Sequence, residues 1–525
     1  RFVYLGGMIK SLTCFLLMLG SLAALGQPTP RRQYTSNSVL SAGTWYKIGV
    51  PASGIYKLDK AALQTMGLQT STINPQFIQI FGNGGGVLPQ PNATPRPDDL
   101  LENAIYVAGE SDAVFNDTDY LLFYAQGPHT WQPETHNSAQ FRHQFNIYSD
   151  TAYYFLQIGQ SKGLRVTTAP ALSVNTSVPI TSYQERVFHE VDLKNKLLSG
   201  RDWVGEEFSS FTPARDYTFA LTDLVPQSNI RVTTAVVGDA PVENTFSLKL
   251  NNASIGSINV PGIYGWKKIA YHPVGVRRVN TYEVNLNSIP YQNDLKFNLN
   301  YNNGGEPSAQ GYLDYIEIQA ERALKLYGNQ TAFRSGQNRA PGAVSTYRLE
   351  NIPPDGVVWD ITFPHRAQAP VLSFTGSTAT FVAKTDSLRE YIAFTGADLP
   401  GPAFVGRVAN QNLHALNKDG QTDLVIVTHP TFLNQAERLA NYRQTHDNLQ
   451  VQVVTTTQIY QEFSSGAQDI TAIRDFIKMI YDRSTKGTDE TLYLLLFGDA
   501  SYDYKSPISG NSKSRTINNT NFVPA

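Results

Sequence analysis

The sequence predicts a multidomain, β-rich chain that includes a β-sandwich and becomes α/β near its end. Three observations predict it. Asp, Glu, Lys and Arg make up only 16% of the 525 residues, against about 25% in an average soluble protein. The 39 Gly, 29 Pro, 28 Tyr and 26 Phe, with many Thr, Asn and Gln, favour strands and turns over helices. Short aromatic and β-branched runs separated by Gly, Pro, Asn and Asp recur as far as residue 415. From Thr422 the order is β-α-β-α-β, with continuous apolar strands of the kind buried in a parallel sheet. A chain this long needs several cores. Forty-two basic against 44 acidic residues leave a net charge of -2, so no field attracts polyanions and nucleic acid is excluded as a partner.

Residues 8–26 have a basic start, an apolar run shorter than the roughly 20 residues of a membrane-spanning helix, and the small-residue site Ala24-Leu25-Gly26. This predicts a secretory signal peptide cut before Gln27, with Met8 as the true start and residues 1–26 removed on export. Cys14, the single cysteine, lies in that segment, so the mature chain is expected to have neither thiol nor disulfide and to rely on packed cores.

Residues 27–172 read as an N-terminal β-rich domain. After a polar lead-in, runs at 44–50 and 54–58 flank Pro51-Ala-Ser-Gly54, a hairpin signal. Asp59 caps a short helix over 60–66 that Gly67 closes. Gly82-Asn-Gly-Gly-Gly86 lacks the Gly-Lys-Ser/Thr ending of a phosphate loop and no helix follows, so it reads as a tight turn. Residues 173–326 carry longer alternating runs with β-sandwich spacing, the last strand at 312–320. Residues 327–415 read as a small β module or linker. In residues 416–525, strands at 423–428, 449–454 and 491–497 alternate with helices at 431–444 and after Asp469, and the sheet reads as unfinished at Ala525.

Open α/β sheets hold ligands beyond the C-terminal ends of their strands. The third strand delivers Asp499 and Asp503 there, where paired carboxylates can bind a cation, hold a basic substrate side chain or orient an imidazole; capping the turn after Gly498 is the simpler role. His429 ends the first strand on the same edge and either partners Asp499 or satisfies a backbone group. The nine His show no zinc spacing, and no cofactor is expected. Glu110, Asp112, Asn116, Asp117 and Asp119 offer hard oxygen ligands for Ca²⁺, without the EF-hand Gly and closing Glu; an Asp/Asn-rich turn is the alternative. Asn92 and Asn329 stand in Asn-x-Ser/Thr sequons.

Asp423-Leu-Val-Ile-Val-Thr428, Leu494-Leu-Leu-Phe-Gly-Asp-Ala-Ser-Tyr-Asp-Tyr-Lys505 and Asn521-Phe-Val-Pro524 resemble the opening half of the gingipain-type cysteine peptidase domain. Ahead of them, Trp45-Tyr-Lys-Ile, Gly54-Ile-Tyr-Lys-Leu, Ile80-Phe-Gly-Asn-Gly-Gly-Gly-Val-Leu-Pro89, Asp98-Asp-Leu-Leu-Glu-Asn-Ala-Ile105, Tyr120-Leu-Leu-Phe-Tyr-Ala-Gln-Gly-Pro-His129 and Gly200-Arg-Asp-Trp-Val-Gly-Glu-Glu-Phe208 resemble the N-terminal region of the type IX secretion sortases of that family. The resemblance runs from about Ser38 to the end and implies the first half of a three-layer, caspase/gingipain-like peptidase domain. It further implies an enzyme on the outer membrane, at the cell surface of a Gram-negative bacterium, that works beside other type IX secretion components. Such an enzyme removes C-terminal sorting signals from secreted cargo proteins and joins the cargo to anionic lipopolysaccharide. Family members carry the catalytic His and Cys in the second half of the domain, expected here beyond Ala525, so the chain as given is expected to be inactive. The family's strand-end acidic motif falls on Asp499 and Asp503. The alternative is a non-catalytic adhesin or secretion-complex subunit with a vestigial peptidase-like segment; a third reading, carbohydrate binding, draws on the five Trp and many Tyr.

Overall fold

A computed structural model describes residues 32–135, 138–176, 178–196, 201–266, 274–291, 293–396, 398–418, 421–484, 493–501, 503–505 and 521–524. The expected signal peptide and Cys14 lie outside them. No helix among the described residues is long and apolar enough to cross a membrane.

The N-terminal domain folds two sheets over one core. Trp45–Val50 pairs antiparallel on both sides, with Ala152–Ile158 and with Ala403–Val408. Gly54–Asp59 joins Tyr120–Ala125 in a different sheet. The hairpin expected across Pro51-Ala-Ser-Gly54 is therefore not formed. Strand 45–50 is buried along nearly its whole length and has partners on both edges, and the turn carries the chain from one sheet to the other. Ile48, Tyr56, Leu121 and Tyr154 meet in the core between them. Asp59 caps the helix Lys60–Thr65 as expected, its side chain accepting the Ala62 N–H. The glycine run fits a backbone crossing: a Cβ on Gly85 would stand 1.9 Å from the Gly127 carbonyl oxygen.

The predicted β-sandwich is present. Ser182–Glu190, Gln310–Ala323, Asn229–Asp239 and Val276–Asn285 form one sheet, and Ala214–Phe219, Leu295–Asn302, Asn244–Leu250 and Ala253–Val260 form the other. Alternation in Leu295–Asn302 turns Leu295, Phe297, Leu299 and Tyr301 inward, where they pack with Val232, Phe246, Ile316 and Ile318. Each fully buried apolar side chain contributes about 1.5–3 kcal/mol.

The hairpin of Thr130–Pro133 and Phe141–Gln144 is fastened to this sandwich by His143. Its backbone N–H donates to Glu317 Oε1 at 2.8 Å, its Nδ1 lies 2.5 Å from the same oxygen, and its Nε2 meets Glu190. Burial alone would lower the imidazole pKa, but the bonds to Glu190 and Glu317 outweigh it and hold the ring raised to about 9. A folded pKa above the ordinary 6.5 means that the stabilisation is complete below pH 6.5 and is lost as pH rises through about 9. The melting temperature should therefore fall between pH 6.5 and 9.5, and fall less in His143→Gln; an equal fall in both would contradict this assignment.

The C-terminal unit contains β1 (Leu424–Thr428), α1 (Leu433–Asp447), β2 (Val451–Thr455), α2 (Thr456–Phe463), α3 (Ile470–Arg483) and β3 (Tyr493–Phe497). Its sheet is parallel, ordered β2-β1-β3. Ala436 and Ala440 of α1 pack on one face with Ile426, while Ile459 of α2 and Ile473, Phe476 and Ile480 of α3 pack on the other with Val425 and Val427. That gives three layers. Asp469 caps α3, accepting the Thr471 N–H, and Thr455 and Gln458 form a capping box on α2. Two expectations need correction. Helix α2 is additional to the predicted β-α-β-α-β. Strand β3 is not buried on both faces: Tyr493, Leu494 and Leu496 are 57%, 45% and 38% exposed, because among the described strands only β1 pairs with it.

Polar contacts lock this unit to the segment that leads into it and, through His414, to the N-terminal domain. Glu462 of α2, fully buried, accepts hydrogen bonds from Gln411 Nε2 (2.9 Å), the Leu413 N–H (2.8 Å) and the His414 N–H (3.2 Å), and lies 2.6 Å from His414 Nδ1. Asp98 faces the other ring nitrogen at 3.6 Å. Burial opposes the charge on His414, yet these carboxylates hold its pKa raised to about 9.

Candidate active cleft

All three strands of the parallel sheet end on one edge, as their register requires: Thr428 lies beside Thr455 on one side and Phe497 on the other. Thr428 Oγ1 donates to the Phe497 carbonyl at 2.9 Å and ties the edge together. His429 follows directly. Its Nδ1 caps the turn Pro430–Phe432 by accepting the Thr431 N–H at 3.2 Å, and lies 2.9 Å from Thr431 Oγ1. The ring meets Phe522 edge-on at 5.2 Å. Partial burial lowers its pKa, so it is neutral near pH 7. His429 thus does satisfy a backbone group.

Asp499 stands at the same edge, exposed, its Oδ1 accepting the Ala500 N–H at 3.0 Å and its carbonyl accepting from Phe522 and Val523. Asp503 is buried and faces a different cavity, of 240 Å³, with Tyr504 and Lys505. There Lys505 Nζ lies 2.7 Å from Asp150 and 3.5 Å from Asp192, linking the sheet edge to the N-terminal domain and the sandwich. Asp503 therefore lines a hollow that the exposed Asp499 does not.

A polar cavity of 460 Å³ opens between the strand ends and the N-terminal domain, bordered by Lys47, Tyr153, His429, Thr456, Gln468 and Asn521. Lys47 Nζ donates to the Gly466 carbonyl at 2.7 Å and sits 3.9 Å from the Tyr153 ring centre. Burial pushes its pKa down to about 8. Sequence reasoning singled out neither Lys47 nor Lys505 as a site residue, because only the fold brings them to the sheet edge. The cavity can bind and orient a polar chain and can exchange a proton through His429 or Lys47. Among the described residues that border it none is a cysteine; the one cysteine of the sequence is Cys14.

The acidic cluster of the N-terminal domain is spent on local contacts. Glu110 pairs with Arg165 at 2.7 Å and Asp117 with Lys60. Asp112 holds Val114 and Asn116, and buried Asp119 accepts the Asn116 N–H at 2.7 Å. Among the described residues no three His, Cys, Asp or Glu side chains gather as metal ligands do.

Comparison with known proteins bears directly on this edge. Residues 417–525 match the model of peptidase family C25. Latent, dimeric PorU from Porphyromonas gingivalis superposes with a TM-score of 0.79 at 28% identity, over 94% of this chain and 44% of PorU. The chain thus spans less than half the length of PorU. A CBM36 domain of a xylanase from the hindgut metagenome of Trinervitermes trinervoides aligns at 11% identity over 26% of this chain and 95% of its own, with a TM-score of 0.17, too low to carry any argument. No curated protein sequence matches. The α/β unit with its strand-end cleft accordingly coincides with the stretch that matches peptidase family C25, in a chain that is similar to PorU over 94% of its length.

Proposed function

We propose that this chain is the N-terminal part of an exported cysteine endopeptidase and transpeptidase that trims C-terminal sorting signals from type IX secretion cargo and joins the cargo to anionic lipopolysaccharide at the cell surface. The observation that carries the reading is the coincidence of the C25 match, residues 417–525, with a parallel sheet whose strand ends open on a polar cleft. In this reading the catalytic imidazole and thiol are supplied by sequence beyond Ala525, packed beside β3. Support comes from the apolar groove between that strand and α3, where Ile470, Ile473, Ile477, Leu494 and Leu496 line 370 Å³. A thiolate attacks the scissile carbonyl, the imidazole protonates the leaving amine, and an acceptor amine in place of water completes transpeptidation. The residues in hand bind and orient: His429, neutral and fixed by its turn, borders the path of the peptide, Asp499 offers a carboxylate to a basic group of the substrate, and the β-domains dock cargo.

The test is to express the reading frame extended past Ala525 and incubate it with a cargo protein bearing its sorting domain, with and without a small amine acceptor. Release of the sorting domain, with the amine joined to the new C-terminus, is expected. A thiol-competent extended protein that leaves the cargo intact would refute the sortase role.

A further inference from the structure

A second cavity, of 580 Å³, lies away from the sheet edge, where three parts of the chain meet. The N-terminal domain contributes Gln126 and Trp131, the sandwich Arg186, and the region after it Arg334 and Glu390. Arg186 Nη2 donates to both oxygens of Glu390 at 3.0 and 3.1 Å. Arg334 reaches the same carboxylate at 3.5 Å, and its Nη1 donates to the Gln184 carbonyl at 2.8 Å. The two arginine side chains are only 11% and 4% exposed.

Two guanidinium groups therefore share one carboxylate. The charges around them do not restore the balance. Arg322 and Glu185 pair with each other at 2.9 Å, and His129 is kept neutral near pH 7 because burial and Lys505 push its pKa down to about 4. Three arginines against two glutamates leave one positive charge on the cavity wall. Arg186 Nη1 has no hydrogen-bond acceptor, and Arg334 Nε has only the Glu390 contact at 3.5 Å. A buried charge that is only partly neutralised is expensive, and burial and neighbouring Arg334 push the Arg186 pKa down to about 10. Planar guanidinium forks match oxyanions, with two parallel N–H donors per fork.

We propose that this cavity is an oxyanion-binding site, in which Arg186 and Arg334 together take a carboxylate, sulfate or phosphate group of a ligand. The anion supplies the missing charge beside the two guanidinium groups, and Gln126, Gln330 and Thr362 border the space left for the rest of the ligand.

Thermal unfolding of the full chain in acetate, sulfate or phosphate, each titrated against chloride at equal ionic strength, tests the proposal. Saturable stabilisation by at least one of the three is expected at millimolar concentration. The responding arm separates a carboxylate from a tetrahedral oxyanion. Arg334→Met should weaken the response at least tenfold while leaving Glu390 paired with Arg186, and Arg186→Met gives the same comparison should the first variant fold poorly. Glu390→Gln removes the competing carboxylate and should tighten binding several-fold. No saturable response, an equal response in the wild type and the arginine variants, or weaker binding by Glu390→Gln would overturn the site; an equal response marks a general salting effect.

Discussion

Replacing Glu462 by alanine should cost the α/β unit about 3–5 kcal/mol, the range for removing one partner of a buried ion pair. The carboxylate is fully buried and collects four contacts, two from backbone N–H groups, one from Gln411 and one from the His414 ring. Without it the imidazolium keeps Asp98, at 3.6 Å, and the N–H groups of Leu413 and His414 lose their acceptor, losses of about 1–3 kcal/mol each that make up much of that cost. The chain has several cores, so the effect should appear as an early, separate transition of the α/β unit in urea or heat. Glu462→Gln keeps the shape and one acceptor oxygen and should cost less. Unchanged unfolding in Glu462→Ala would show that this network does not hold the unit in place.

Gly85→Ala should destabilise the N-terminal domain by about 3 kcal/mol, the upper end for overpacking. A Cβ there would lie 1.9 Å from the Gly127 carbonyl oxygen, 2.4 Å from its carbon and 2.8 Å from the Pro128 Cα. All three are backbone atoms, so no side chain can swing away. Gly396→Ala is the control, because a Cβ at Gly396 meets nothing within 4 Å, and its melting temperature should stay close to that of the wild type. Equal midpoints for the two variants would mean that the glycine run serves something other than this crossing.

The sequence reveals those parts of the fold that short-range pattern determines. Period-two alternation in 295–302 and the continuous run at 424–428 place their strands correctly, and Asp59 and Asp469 mark the helix starts where they occur. Partner choice is the part it conceals. Trp45–Val50 takes Ala152–Ile158 and Ala403–Val408 rather than the strand next to it in sequence, because sheet burial decides pairing and turn residues do not. Helix α2 has a readable start, Thr455 with Gln458 three residues on, but its Thr-Thr-Gln-Ile-Tyr-Gln-Glu-Phe stretch is too polar to announce a helix. The leucines of β3 predict a burial that depends on neighbours beyond the strand.

The candidate site divides in the same way. Asp499 and His429 were legible because strand ends in parallel sheets hold ligands, and both stand at that edge. Asp503 turns into a different hollow, beside Tyr504 and Lys505. Lys47, Lys505 and the pairing of Arg186 and Arg334 with Glu390 bring together residues far apart in the chain, and no local spacing signals them.

We propose that the cleft at the strand ends of residues 417–525 belongs to a thiol peptidase completed by later sequence. The most direct measurement is peptidase activity of the polypeptide translated from the gene extended past Ala525, before and after iodoacetamide, together with mass-spectrometric mapping of the alkylated residue. Hydrolysis that alkylation abolishes is expected, with the label on a cysteine beyond position 525. Hydrolysis that survives alkylation, or an extended protein that offers no reactive cysteine and cleaves nothing, would contradict it.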